Sequence, residues 1–181
     1  MLDNVDPAHV GATLEYLDTH GGGLKRTLVN VVSKSGETAE TAAQFLVLRR
    51  MLIDALGEKE HAEQIVAITD TEKGTMRSIC DAAGYRTLPV PDGVGGRFSA
   101  LSPVGLFSAA MCGIDIEALL DGAQKMDARC SKETLDTNPA AMLATLLVRL
   151  GNEKDKFNHV LMPYSNAMSL FADWYRQLWA E

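Results

Sequence analysis

Residues 28–38 read LVNVVSKSGET, and this stretch decides the fold class. Its first half, residues 28–32, is a short apolar run rich in β-branched residues, which is typical of a parallel strand buried on both faces. A helical pattern follows from about residue 38 to residue 56 and stops at Gly57. A buried strand that leads through a short polar loop into a long helix begins a strand–helix–strand crossover.

The same alternation continues along the chain. Apolar runs at residues 65–69 and 86–90 predict two further strands, and residues 73–83 between them show a helical pattern that ends at Gly84. Strands separated by helices form parallel sheets with right-handed crossovers. The predicted fold class is therefore α/β, with a doubly wound, flavodoxin-like parallel sheet flanked by helices.

Beyond residue 100 the pattern becomes mainly helical. A polar stretch at 131–138 precedes Pro139, which suits the first turn of a helix. Residues 159–162 predict one more strand, and because one strand cannot form a sheet, it either joins the first sheet or begins a second domain. The helices predicted around these features cover residues 9–17, 103–112, 114–130, 139–150 and 166–180.

Composition narrows the function classes. The 181 residues are 46% apolar and 23% charged, which is typical of a globular domain, and the net charge is −7. An acidic surface argues against broad binding to nucleic acid or to anionic lipid, although one basic pocket can still hold a small anion. Neither a membrane span nor a signal peptide is recognisable, and three cysteines without CxxC spacing predict reduced, mostly buried thiols in the cytoplasm.

The first candidate site is the polar loop after the first strand. Ser33, Lys34, Ser35 and Thr38 surround Gly36 just before a helix N-terminus, where free N–H groups and a partial positive charge favour a phosphate monoester. The loop is neither a Walker motif nor GxGxxG, so a nucleotide is not the natural ligand. The alternative, that Ser35 or Thr38 simply caps the helix, stays equally open on spacing alone.

The second candidate site is the loop after the third strand, at residues 92–99. Paired glycines let the backbone approach a ligand closely, and Arg97 supplies a fixed positive charge. Viewed alone, an irregular turn with a solvated arginine explains this loop slightly better. Both loops, however, follow parallel strands, so we expect them at the same sheet edge, where open α/β folds bind ligands.

Two other features carry no chemistry of their own. The four histidines are scattered without HxH or HExxH spacing, so no metal site is predicted, and His9, His20 and His61 are interpreted as surface residues. Glu181 stands at the end of a helix, where a glutamate is normally solvated and frayed.

Two stretches resemble a known family. Residues 31–41 (VVSKSGETAET) resemble the phosphate loop of the sugar isomerase (SIS) domain, in the form used by bacterial phosphoglucose isomerases. Residues 92–105 (DGVGGRFSALSPVG) are similar to that enzyme family's own signature, which is long and specific. The similarity continues through residues 113–115, 138–139, 162–164 and 171–178, and so covers nearly the whole chain.

The resemblance implies an enzyme of glycolysis and gluconeogenesis that interconverts glucose 6-phosphate and fructose 6-phosphate through a cis-enediol(ate), without a metal or cofactor. It implies phosphate binding by Ser33, Lys34, Ser35 and Thr38, and substrate contacts by Gln177 and Gly96. Arg97 matches the arginine that stabilises the enediolate-like intermediate. Glu181 matches the base that moves a proton between C1 and C2, in contrast to its interpretation from position alone.

The resemblance also implies an arrangement of domains. Residues 1–112 correspond to a first SIS domain without its first strand, residues 113–137 to a helical connector, and residues 138–181 to the beginning of a second SIS domain. The family's Gly-Ile-Gly-Gly-Ser-like loop, ring-opening histidine and late lysine have no match here, so we expect a fragment that is inactive alone. A homodimer is expected. Two other hypotheses stay open: a non-catalytic SIS module that binds a sugar phosphate, and a structural fragment without a ligand.

Overall fold

The computed structural model describes residues 1–180. The chain divides into two compact units, Met1–Ser108 and Ala109–Glu181. The first unit contains a three-stranded sheet of β1 (Val29–Val32), β2 (Ile65–Thr69) and β3 (Arg86–Pro89), in the order β1-β2-β3. Both pairs of neighbouring strands are parallel. The α/β class and the parallel sheet predicted from the sequence are confirmed.

Helices of very different length connect and follow these strands. Their bounds are α1 Pro7–His20, α2 Ala39–Leu56, α3 Thr75–Ala83, α4 Pro103–Met111, α5 Ile116–Cys130, α6 Pro139–Lys154 and α7 Ser169–Ala180. Short 3₁₀ turns lie at Leu24–Arg26, Glu60–Gln64, Gly96–Leu101 and Asn166–Met168.

The core of the first unit lies between the sheet and the two crossover helices. Val31 and Ala67 point from the sheet toward Phe45 and Leu52 of α2 and Met76 of α3, and all are nearly excluded from water. Every residue of β2 is buried, which explains its continuous apolar sequence.

The opposite face of the sheet carries a polar contact. Asn30 alternates with Val31 along β1, so its side chain points away from the core. Its Nδ2 donates to Ser108 Oγ of α4 at 3.3 Å. Helices therefore flank the sheet on both faces.

A buried hydrogen-bonded chain closes the far end of this core. His61 is only 2% exposed, so its interpretation as a surface residue is wrong. Its Nε2 lies 2.8 Å from Tyr85 Oη, which accepts a hydrogen bond from Arg49 Nε at 2.6 Å, while His61 Nδ1 lies 3.3 Å from the carbonyl oxygen of Gly57. With Nδ1 donating to Gly57 and Nε2 accepting from Tyr85, both ring nitrogens are satisfied.

The second unit is built from helices and turns in its described part. Asn138 organises the beginning of α6, since its Oδ1 accepts the N–H of Ala141 at 2.9 Å and its Nδ2 donates to the carbonyl oxygens of Cys130 and Lys132. This helix begins at Pro139, as the sequence predicts. An apolar groove of about 550 Å³ runs between α6 and α7, with Leu147 and Trp179 among its lining residues.

The strand predicted for residues 159–162 is absent. Its apolar sequence is strand-like, but a strand forms only when a neighbouring strand accepts its N–H and C=O groups. The described part of the second unit contains no strand that could do so.

The cysteines are less buried than the sequence suggests. Of the three, Cys80 is buried, Cys130 is partly buried and Cys112 is exposed, so the prediction of mostly buried thiols holds only for Cys80. Burial raises the pKa of the Cys80 thiol. None of the helices within residues 1–180 is sufficiently long and apolar to cross a membrane.

Replacing Tyr85 with Phe tests the buried hydrogen-bonded chain. The change removes one oxygen and leaves Arg49 Nε and His61 Nε2 without their partner, so we expect the free energy of unfolding to fall by about 1–3 kcal/mol. Urea unfolding monitored by circular dichroism measures this.

The matched control is Tyr16→Phe on α1, where the ring is 62% exposed and stacks on His20. This substitution should change stability by less than about 0.5 kcal/mol. Equal effects of the two substitutions would contradict a stabilising role for the hydroxyl of Tyr85.

Candidate functional site

The loop after β1 is held by its own hydroxyl groups. The Ser33 N–H continues the strand ladder by donating to the Ile68 carbonyl at 3.0 Å, and Ser33 Oγ accepts the N–H of Gly36 at 3.0 Å. Ser35 Oγ accepts the N–H of Glu37 at 3.1 Å. The loop therefore curls back on itself before α2 begins.

The beginning of α2 is left without a side-chain cap. Thr38 occupies the N-cap position, with φ −66° and ψ 113°, but within the described residues its hydroxyl caps no N–H group. Ser35 bonds an N–H that precedes the helix. The capping alternative thus does not describe how these residues are used, and the first N–H groups of α2 face the loop with the positive end of the helix dipole.

Lys34 connects this loop to both neighbouring loops. Its carbonyl oxygen accepts hydrogen bonds from the Asp70 N–H at 3.2 Å and from Thr69 Oγ1 at 3.0 Å. Its ammonium group lies 3.4 Å from Asp92 Oδ1, in the loop after β3. The loops that follow all three strands therefore meet at the carboxyl edge of the sheet, as expected for the first and third.

Two glycines allow the loops after β1 and β2 to approach so closely. Gly36 has φ +82°, and a Cβ placed on it would lie 2.5 Å from the backbone nitrogen of Met76. Gly74 has φ +100°, and a Cβ there would lie 2.8 Å from the Ser35 carbonyl oxygen. Each position needs both the left-handed backbone and the missing side chain.

Asp70 ends the central strand and was not singled out by the sequence motifs. It is 6% exposed, and its Oδ1 accepts the N–H groups of Glu72 and Lys73 at 3.0 and 3.1 Å. These two hydrogen bonds hold the pKa of the carboxyl group below its usual value, and the charges of Lys73 and Lys34 add to the effect. Its place at the end of a buried parallel strand is its one mark in the sequence, and no motif accompanies it.

The loop after β3 folds into the 3₁₀ turn Gly96–Leu101. The Gly96 carbonyl accepts Ser99 Oγ at 2.6 Å, and the Ser99 carbonyl accepts Ser102 Oγ at 2.7 Å, so two buried hydroxyls fix the turn from inside. Arg97 lies half-buried on this turn, and Gly96 is exposed beside it.

The remaining predicted site residues belong to the second unit. Gln177 is exposed on α7, and Glu181 lies outside the described residues. The structure thus brings together the loops that carry Ser33, Lys34, Ser35 and Thr38 with the loop that begins at Asp92. The roles assigned to all these residues stay predictions.

Metal-ligating side chains are not grouped in the part of the chain that the structure describes. Residues 1–180 contain no cluster of three or more His, Cys, Asp or Glu side chains placed to hold an ion.

Comparison with known proteins agrees with the fold. The family model described as phosphoglucose isomerase matches residues 1–181. The chain is 41% identical over 179 residues to glucose-6-phosphate isomerase of Carboxydothermus hydrogenoformans. This alignment covers 99% of the chain and 37% of that protein. The chain is 43% identical over 182 residues to the protein of the same name from Rubrobacter xylanophilus, covering 99% and 40%.

A solved structure gives the same result in three dimensions. The crystal structure of a glucose-6-phosphate isomerase from Chlamydia trachomatis superposes with a TM-score of 0.79 at 30% identity, covering 97% of this chain and 32% of that one. The chain spans about two-fifths of the length of the two curated relatives.

Replacing Asp70 with Asn tests the charge at the end of β2. Because the pKa of Asp70 is lowered in the folded chain, its charged form stabilises the fold above the pKa of the unfolded state, and this contribution disappears as the pH falls through the folded pKa. We expect wild type to be more stable than Asp70→Asn at pH 7, with a difference that shrinks below about pH 4. Urea unfolding across pH 3–7 measures it, and a difference that is independent of pH would contradict this explanation.

Proposed function

The chain belongs to the phosphoglucose isomerase family, and from this premise we propose that it functions in the reversible isomerisation of glucose 6-phosphate to fructose 6-phosphate. The observation that carries the proposal is the contact between the loops after β1 and β3. These are the two stretches that resemble the family, and Lys34 joins them through Asp92 at 3.4 Å.

In this proposal the loop after β1 binds the phosphate group. Ser33, Lys34, Ser35 and Thr38 supply hydroxyls, an ammonium group and backbone N–H groups at the beginning of α2. The exposed, uncapped start of that helix supports this role, because free N–H groups at a helix N-terminus bind anions. Holding the phosphate fixes the sugar at a distance from its reacting carbons and so orients them.

The proton transfer is assigned to residues at the other end of the sugar. Isomerisation from the aldose removes the proton on C2, which leaves an enediolate with negative charge on O1. The proton is returned to C1, and the hydroxyl proton of O2 moves to O1, so that C2 becomes the carbonyl carbon. We assign the base to Glu181 and the stabilisation of the enediolate to Arg97, whose guanidinium group neutralises the developing charge. We assign further contacts with the sugar to Gln177 and to Gly96.

The setting of the reaction is part of the same proposal. The chain acts in the cytoplasm, in glycolysis and gluconeogenesis, as a homodimer of SIS-type units that bind a carbohydrate derivative. Apolar side chains of the second unit support an association, since Val160 and Leu170 are each 75% exposed and Met162 is 67% exposed. The chain spans about two-fifths of the length of its relatives, so binding by the 181-residue chain itself is the property to measure.

Replacing Thr38 with Val tests phosphate binding with little change in structure. Val has nearly the same shape, and within the described residues the hydroxyl it replaces caps no N–H group. We expect the affinity for fructose 6-phosphate and for inorganic phosphate to fall by about three- to tenfold, because one hydrogen bond to a charged ligand is lost. Calorimetric titration measures both affinities.

The comparison variant for this test is Thr13→Val on α1, which replaces an exposed hydroxyl that donates to the carbonyl of His9. It should bind both ligands as wild type does. Unchanged affinities in Thr38→Val, with a measurable affinity in wild type, would place the phosphate elsewhere.

Replacing Arg97 with Ala distinguishes an isomerase from a module that only binds the sugar phosphate. A hydroxamate that mimics the enediolate carries its charge where the intermediate does, so we expect its affinity to fall about a hundredfold or more. The affinity for inorganic phosphate should fall much less, because Arg97 is assigned to the other end of the ligand. Wild-type protein that binds the mimic no more tightly than fructose 6-phosphate, with equal losses in the variant, would favour the non-catalytic module.

A further inference from the structure

The ammonium group of Lys34 is paired with the carboxylate of Asp92, and the loop after β2 carries a second carboxylate, Asp70, that has much less freedom of movement. Asp92 Oδ1 is 3.4 Å away on the loop after β3, and the charge of Lys34 also contributes to the lowered pKa of Asp70 on the loop after β2. The one cation of the loop after β1 is therefore in contact with an anion of the loop after β3.

Asp70 is fixed in its place. Its side chain is nearly buried, and two N–H groups of its own loop hold Oδ1 at 3.0 and 3.1 Å. Moving this carboxylate would break both hydrogen bonds and leave their donors unsatisfied. Asp70 is thus held by its own loop, and a ligand that binds Lys34 would not displace it.

Asp92 is able to move. Its side chain is 90% exposed, and its contact with the 43%-exposed Lys34 is a long, solvent-screened ion pair. Such exposed pairs contribute little to stability and exchange their partners readily. The neighbouring Gly93 has φ +74°, and a Cβ built on it would meet no atom of the described residues within 4 Å. Packing at this position therefore does not fix the side chain of Asp92.

From this asymmetry we propose that Asp92 is a positioning residue that competes with the ligand phosphate for Lys34. In the ligand-free chain it holds the ammonium group across the loop. On binding, the phosphate takes Lys34 from Asp92, and the carboxylate turns into solvent. This exchange lowers the affinity for any phosphate-containing ligand. The inference rests on the proposed phosphate binding by the loop after β1.

The competition predicts an effect of unusual sign. Removing the charge of a residue in a binding site normally weakens binding, but Asp92→Asn should tighten it by about two- to fivefold, because an anion that opposes the ligand is gone. The gain should be present for both inorganic phosphate and fructose 6-phosphate, and it should diminish at high salt. A merely structural role of Asp92 would produce the opposite sign.

The experiment titrates both ligands into wild type, Asp92→Asn and Asp92→Glu, at low and high salt. Asp92→Glu keeps the competing charge and should bind as wild type does. Asp54→Asn is the charge-matched control, since Asp54 is also an exposed carboxylate in an ion pair, with Arg50 on α2, and its loss changes the net charge equally. Its affinities should equal those of wild type.

The outcomes separate this inference from the proposed function. If wild type binds phosphate, Thr38→Val weakens the binding and Asp92→Asn equals wild type or binds more weakly, the competition is refuted while the phosphate site stands. If neither wild type nor Asp92→Asn binds either ligand, the proposed site and the competition are both refuted. Equal tightening in Asp92→Asn and Asp54→Asn would also refute it, since the effect would then be one of net charge alone.

Discussion

The buried central strand is the constraint on which the rest of the first unit depends. Ile65–Thr69 is buried along its whole length and pairs with β1 on one edge and with β3 on the other, so the sheet supplies hydrogen-bond partners to its backbone from both sides. Both partners run parallel to it, and parallel neighbours require a crossover through a helix. This topology brings the ends of all three strands to one edge, where Lys34, Asp70 and Asp92 meet although they are far apart in sequence.

Close backbone approach then converts three adjacent loops into one surface. The Lys34 carbonyl accepts two hydrogen bonds from the end of β2, and the glycines at 36 and 74 remove the side chains that would separate the loops after β1 and β2. The oxygen atoms of the two serine hydroxyls in the first loop each accept an N–H group of that loop, which leaves their hydrogens able to donate to a ligand. The loop is consequently shaped before any ligand arrives, and pre-organisation of this kind reduces the entropy lost on binding.

The sequence predicted what depends on local pattern. Periodicity predicts the strands with short apolar runs, and Pro139 predicts where a helix begins. The parallel topology predicts that the loops after β1 and β3 lie at the same edge of the sheet. It could not predict the burial of His61, because the hydroxyl that satisfies this ring belongs to Tyr85, on a different element. Residues 159–162 have a strand's sequence but no pairing partner in the described part of their unit, and a pairing is not a local property.

The candidate site shows the same division. Ser33, Lys34, Ser35, Thr38 and Arg97 could be selected because motif and strand position coincide. Asp70 was missed because a lone acidic residue after a strand has no motif, and its significance comes from two N–H groups that only the folded loop supplies. The ion pair between Lys34 and Asp92 joins residues 58 positions apart, so it depends on the folded topology.

The chain has a net charge of −7, which repels a phosphate group. A phosphate site on this chain must therefore attract the ligand locally, strongly enough to overcome that repulsion. Lys34 alone cannot provide this attraction, since its charge is already paired with the carboxylate of Asp92 at 3.4 Å. The attraction in the proposed site therefore comes largely from oriented neutral groups, namely hydroxyls and the N–H groups at the beginning of α2. Such groups act only at contact distance, whereas a net positive charge would attract any anion from further away. A site built in this way binds free phosphate weakly and gains affinity when the ligand also reaches the loop after β3, which favours a sugar phosphate over a simple anion.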